Sequence, residues 1–297
     1  MTSEYGDSQP VQDDRTDREK VDSLLTLLDV RHVDKMRFVG ARKIGGIGRV
    51  FGGQVIAQAL MAAAKTVAED RSVHSLHAYF LRPGSEDHEI EYRVEADFDG
   101  RSFSNRRVVA IQQDRPIFNL AASFHRMERG PEHWHAIPDV KPPELGAPLD
   151  TMKIAGDPEA THMARVAARV LAAFDIRPVR LPGGNLTEQL GFWFRTRASL
   201  DCSQAMHRVI VSFVTDISLL SSASMRHRDV PMQHASIDHA LWFHEDMRAD
   251  EWMLYTTESP RAGGGRGLGR GMIFNREGRL IVSSAQEGMM RIVERKE

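Results

Sequence analysis

Cysteine is almost absent from this 297-residue chain: Cys202 is the only one. No internal disulfide can therefore brace the fold, and a reducing compartment is the expected setting. Runs of basic residues are missing and the formal net charge is −2. That excludes the electrostatic footprint of a nucleic-acid binder and gives no pull toward an anionic bilayer. No stretch reads as the roughly 18 apolar residues that span a membrane, so no membrane insertion is expected. Met1 to Lys20 has no signal-like apolar core, and the terminal Glu-Arg-Lys-Glu is not a Ser-Lys-Leu peroxisomal address. A soluble, cytoplasmic protein is the expectation. The Gly-x-Ser-x-Gly elbow of a serine hydrolase is also missing.

What is present is a core. At 41% hydrophobic content the chain can fill one large domain or two ordinary ones. The stretch Val209 to Leu220 is apolar almost all round, as a segment buried on every side would be. Within it stands one carboxylate, Asp216. Taking such a group out of water costs several kcal/mol unless donors meet it. A satisfied core aspartate or a helix cap accounts for it as well as catalysis does. Its β-branched residues suit a strand, so periodicity alone leaves helix against strand open.

Taken in order, residues 1–20 are too charged to bury themselves and read as a mobile tail. Val21–Val30 has the leucine spacing of a short amphipathic helix, and a strand is expected near Asp34–Ala41. Gln54–Ala64 is rich in strong helix formers. Strands are expected at Ser72–Arg82, Glu89–Ala96, Phe103–Gln112 and Pro116–His125, with hairpin turns at Asp99-Gly100 and Gln113-Asp114-Arg115. One helix followed by an antiparallel meander is an α+β unit, a sheet wrapped round a helix.

Eight of the thirteen prolines lie between Pro131 and Pro182, so 127–185 reads as an irregular connector. It holds one helix, capped by Asp157 with Pro158 at its first position and an apolar stripe ending at Leu171 and Phe174. Beyond it the pattern returns. A strand at Leu190–Arg195 precedes the buried stretch. Strands follow at Ala235–His244, Trp252–Glu258, Gly269–Asn275 and Leu280–Glu287, with a turn at Asn275–Arg279. His77 lies 23 residues after Gln54, and His239 lies 23 after Asp216. Such register marks internal duplication, and it assigns 209–220 as helix, opposite Gln54–Ala64. The expected organisation is a tail (1–20), a first unit (21–126), the connector (127–185) and a second unit (186–297).

Ordered strings carry a resemblance: Val50-Phe51-Gly52-Gly53-Gln54, His74 to Gly84, Asp99 to Ser104, Ser236-Ile237-Asp238-His239, Trp242-Phe243-His244, Arg266-Gly267 and Gln286-Glu287-Gly288. With them the chain resembles the acyl-CoA thioesterase II family over about residues 20–297. The resemblance implies a double hotdog fold, acyl-CoA as the partner molecule, and a homo-oligomer, dimer or tetramer. It also implies a water positioned by Asp216, Ser236 and Gln286, all from the second unit. Their first-unit counterparts, Gln54, His74 and Ala122, lack that combination.

Hydrolysis of a thioester needs an aimed water and a site for negative charge. Asp216 can take the proton, a kind of assistance worth about 10²- to 10⁴-fold. Backbone N–H groups near Gly52, Gly53 and Gln54, at a helix N-terminus, are candidate oxyanion donors. Those glycines serve close packing equally well. The run Gly263 to Gly271 fits no nucleotide fingerprint. A kinked or bulged strand accounts for it, as does a role for Arg266 or Arg270 on coenzyme A phosphates. Asp238-His239 beside Ser236 suggests a hydrolase dyad, but neighbours on a strand face opposite ways. His133-Trp134-His135 lacks companions for a metal, so neither metal nor cofactor is expected. Two other functions fit the same fold: an enoyl-CoA hydratase or dehydratase, and a non-catalytic acyl-CoA binder.

Overall fold

The computed structural model describes residues 13–42, 48–149, 170–182 and 189–293. Order begins earlier than the sequence suggests. Helix α1 runs Asp17–Leu28 because Thr16 and Glu19 form a reciprocal capping box, and Val21, Leu24 and Leu28 are buried beneath it. The expected tail is thus helical from Asp17, and residues 1–12 lie outside the described residues. Two short strands, β1 (Val30–Asp34) and β2 (Arg37–Gly40), replace the single strand expected here. Helix α2 (Gly52–Ala64) follows, buried continuously from Gly53 to Ala63. Then come β3 (Ser72–Phe80), β4 (Ile90–Asp99), β5 (Phe103–Gln112) and β6 (Arg115–His125).

The second half comprises β7 (Phe174–Val179), β8 (Gln189–Thr196), α3 (Gln204–Thr215), α4 (Leu219–Ser224), β9 (Met232–Ser236) and β10 (Asp238–Phe243). It closes with β11 (Met253–Gly263), β12 (Arg266–Asn275) and β13 (Leu280–Ile292). All pair into one sheet of order β1-β2-β4-β5-β6-β3-β10-β13-β12-β11-β8-β7, with β9 on β13. Read outward from the central β3–β10 pair, the halves have the same order, with β6, β5, β4, β2 and β1 answering β13, β12, β11, β8 and β7. The duplication is therefore a duplication of topology. The two half-sheets join edge to edge, Asp238 facing Tyr79 and Trp242 facing Ser75. That seam removes an exposed edge from each.

Several expectations need correction. Phe174 sits in β7, not on a helical stripe, so the second unit starts inside the supposed connector. Most of the expected helix after Asp157 lies outside the described residues. The buried helix begins at Gln204, capped by Ser203, and stops at Thr215, so Asp216 is its C-cap, not its middle. The glycine run is part turn and part bulged pairing: β11 slips one residue between Glu258 and Arg261, opposite Gly269. Gly264 and Gly265, with φ of +60° and +74°, make the β11–β12 turn. On the inward face of β12, Gly269 makes room for a helix: a Cβ there would lie 2.4 Å from the Leu219 carbonyl oxygen.

The segment Gln204–His227 has the length and hydropathy of a membrane span, unlike the reading from sequence. However, 67% of its most apolar window is buried inside the protein. That is the burial of a core element: α2 and α3 lie against each other within the sheet. A Cβ on Gly53 would come within 2.4 Å of the Phe213 carbonyl oxygen.

Candidate active site

Three polar side chains converge where α3 ends. Asp216 leaves the helix with φ −77° and ψ −4°. Its stop is fixed from outside, since the Tyr255 hydroxyl on β11 donates to the Thr215 carbonyl at 3.0 Å. A carbonyl in a helix's last turn has no partner of its own, so this bond anchors the backbone just before the carboxylate. Gln286 lies on β13 where that strand changes partner, from β10 (up to Ala285) to β9 (from Gly288, opposite Ser236). The switch brings Ser236 and Gln286 to the same inward patch.

Gln286 Nε2 donates to Asp216 Oδ1 at 2.8 Å and to Ser236 Oγ at 2.8 Å. The carboxylate is acceptor-only when ionised, so the amide nitrogen must face it. Both amide hydrogens are then used. The Ser236 proton is left free for a third group. The Asp216 side chain is 6% exposed, and burial pushes its carboxyl up to about 7 against the lowering effects of Gln286 and the Gly53 N–H. Aromatic rings stand close by. A Cβ on Gly52 would lie 2.5 Å from Asp216 Oδ2 and 3.0 Å from Phe80 Cζ. Phe51 and Phe213 meet edge-on at 5.1 Å.

The other sequence candidates are placed differently. The Gly53 N–H is turned on Asp216, and the Gln54 N–H goes to the Phe51 carbonyl at 3.1 Å. Neither is left as an oxyanion donor. The Gln54 side chain is buried and reaches the Ala41 carbonyl at 3.3 Å, away from the carboxylate. Gly269 pairs with Gln286, so Arg270, the next residue, projects from the opposite face, as does Arg266. Each is paired there with a glutamate, Arg266 with Glu287 at 3.1 Å and Arg270 with Glu258 at 2.6 Å.

Sequence reasoning set His239 aside, yet it is fully enclosed with Nδ1 4.0 Å from Asp216 Oδ1. Its neighbour Asp238 turns away and accepts from the Glu287 N–H. The signal available was the register that set His239 23 residues after Asp216, as His77 is set after Gln54; its partner Thr215 was not readable. Among the described residues no cluster of three or more His, Cys, Asp or Glu side chains could hold a metal. Clefts of about 180 Å³ beside Trp252 and about 480 Å³ beside Lys65 include none of the three converging residues.

A helix enclosed by antiparallel sheet, built twice in one chain, with a polar cluster buried near the seam, defines a double hotdog protein. The family model described as acyl-CoA thioesterase N-terminal domain matches residues 41–125, and the one described as acyl-CoA thioesterase C-terminal domain matches 131–290. Human acyl-coenzyme A thioesterase 8 is 37% identical over 281 residues, 90% of this chain and 88% of that protein. Acyl-CoA thioesterase 2 of Haemophilus influenzae is 36% identical across 92% of this chain and 99% of its own. The crystal structure of acyl-CoA thioesterase II TesB2 from Mycobacterium marinum superposes with a TM-score of 0.77 at 35% identity, covering 91% of this chain and 98% of that one. The chain belongs to the acyl-CoA thioesterase II family.

Proposed function

We propose that the chain hydrolyses fatty acyl-CoA to a free fatty acid and coenzyme A by direct attack of water, with Asp216 as general base. One observation carries this reading: the Gln286 amide ties Asp216 to Ser236, so a base and a free hydroxyl donor face one point. A water there donates one proton to Asp216 and is oriented by Ser236. Its oxygen forms the new bond to the thioester carbon, the C–S bond breaks, and the departing sulfur takes the proton. A base works best when its pKa lies near the working pH, and a carboxyl raised to about 7 meets that condition. The greasy surround that raises it also keeps stray water out. The enzyme is proposed to act in the cytoplasm as a homo-oligomer, dimer or tetramer, which light scattering on the purified protein measures.

The test is release of free thiol from a panel of acyl-CoAs. Asp216→Asn and Gln286→Ala are each expected to lower turnover at least a hundredfold while the protein stays folded. Unchanged rates in both variants would refute the assignment. The approach of His239 to Asp216 favours one second reading, an enoyl-CoA hydratase, which needs an acid and a base across two carbons. Burial holds that imidazole neutral, with its pKa down to about 3, so it is a poor partner for the task. Loss of enoyl absorbance without thiol release would select the hydratase instead.

A further inference from the structure

Two buried polar atoms beside the carboxylate have no hydrogen-bond partner among the described residues: His239 Nδ1 and Gln286 Oε1. An unmet buried polar atom costs roughly 1–3 kcal/mol, so the arrangement calls for an explanation. The tautomer of His239 follows from its other side. The Thr215 hydroxyl donates its only proton to the Ser212 carbonyl at 2.8 Å. With that proton on the Ser212 carbonyl, the Thr215 oxygen accepts at 3.0 Å from His239 Nε2, which then carries the hydrogen. Nδ1 is left with a bare lone pair turned on Asp216 Oδ1.

Resting on the base assignment above, we infer that His239 is a positioning residue for the hydrolytic step. Locked by Thr215 in the Nε2–H form, it offers Nδ1 to receive the hydrogen bond of the Asp216 carboxyl once that group has taken the proton from water. The 4.0 Å gap between Nδ1 and Oδ1 is beyond hydrogen-bond reach, as expected of two acceptors. A proton on Oδ1 turns them into donor and acceptor, and catalytic bonds of this kind tighten only during reaction. The lone pair thus repels the ionised form of Asp216 and welcomes the protonated one, which makes Asp216 a stronger base. The single negative charge passes from Asp216 to the oxygen of the attacked carbonyl as the proton arrives. The water's proton rests on Oδ1 until the departing sulfur takes it.

The other groups facing Asp216 do not supply this. From β13 comes Gln286, which donates through Nε2 to Asp216 and Ser236 and whose side chain also supports a proton on His239 against the effect of burial; from α2 the Gly53 N–H, a donor that favours the anion; from β11 Tyr255, whose hydroxyl is engaged by Thr215 and Ser284. Tyr255 is also raised far above its ordinary range by burial. On β10, Asp238 is turned to the Glu287 N–H.

The experiment is the pH dependence of kcat on a soluble short-chain acyl-CoA, read by free thiol. His239→Gln keeps a group near Nε2 for Thr215 but leaves nothing at Nδ1. His239→Asn does the reverse. Thr215→Val leaves both side chains of the pair in place, removes the partner of Nε2 and frees the tautomer. His239→Gln and Thr215→Val are expected to move the acidic limb of kcat down by at least one pH unit and to lower the plateau at least tenfold. His239→Asn is expected to keep the wild-type limb. A limb unmoved in folded His239→Gln, or in Thr215→Val where His239→Gln does not fold, overturns the inference. Activity retained by Asp216→Asn would instead overturn the base assignment, so the two failures are separable.

Discussion

Replacing Asp216 by asparagine should make the protein less active and, at alkaline pH, comparatively more stable. The unfolded chain ionises this carboxyl near 3.8, whereas burial in the folded chain delays ionisation to about 7. A folded-state pKa that is raised favours the protonated form. The stabilisation is complete below 3.8, erodes between 3.8 and about 7, and is gone above. Between pH 5 and 8.5 the wild type should lose roughly 3 kcal/mol relative to Asp216→Asn, at 1.36 kcal/mol per pKa unit. Any fixed cost of the asparagine, such as its amide facing Gln286 Nε2, is the same at both pH values and cancels. So do all other titrating groups, including His239, whose folded-state pKa of about 3 lies below this window. The assay is urea unfolding of both proteins at the two pH values. A stability gap that changes by less than about 1 kcal/mol between them would show that Asp216 is not held at a raised pKa. The physical basis of the base assignment would then be lost, whatever the turnover.

In the wild type, kcat should climb about tenfold per pH unit below 7 and level off above it; a flat profile from pH 5 to 8 contradicts a carboxylate base of raised pKa. Gly265→Val puts a branched side chain at φ +74°. It should cost roughly 1–2 kcal/mol in urea unfolding and leave turnover intact; no loss would mean the β11–β12 turn has another geometry. Arg266→Ala and Arg270→Ala remove exposed ion pairs on the outer face and should leave KM within twofold. A tenfold rise in KM would place those side chains on the coenzyme's phosphates after all.

What the sequence revealed and what it hid follow physical lines. Helix α2 was legible because Gln54 to Ala64 combines strong formers with alanine. The β5–β6 turn was legible from Gln113-Asp114, and both residues do take positive φ, +49° and +59°. β7 was hidden by Pro178, which argues against a strand. Yet β7 ends the sheet, and an edge strand tolerates a residue with no N–H to donate. The end of α3 was hidden because no glycine or proline marks it. The stop depends on Tyr255, forty residues away in sequence. Among the site residues, Asp216, Ser236 and Gln286 could be named from motif strings, whereas the orientation of His239 depends on a threonine hydroxyl that no local pattern announces. The outward placement of Arg266 and Arg270 was hidden for a simpler reason. A strand's alternation settles which face each takes only once its register is known.

The two halves divide the labour unequally, but the second is not self-sufficient. Asp216, Ser236, His239 and Gln286 belong to it, while the N–H that steadies the anion comes from Gly53 in the first. The glycine is required there because α2 meets the end of α3 with no room between them. A Cβ would stand 2.4 Å from the Phe213 carbonyl oxygen and 2.5 Å from a carbon of the Phe51 ring. A flexible side chain can yield to such a contact, but a helix carbonyl cannot. Gly53→Ala must therefore part the two helices, at a cost of roughly 1–3 kcal/mol. Parting them withdraws the Gly53 N–H from Asp216. Losing a donor to the anion raises its pKa further, so the limb of kcat should move to higher pH and the rate at pH 7 should fall. A pH-rate profile and a urea titration on the same variant separate the two effects. A destabilised protein with an unmoved limb would mean that the first half contributes packing alone to catalysis.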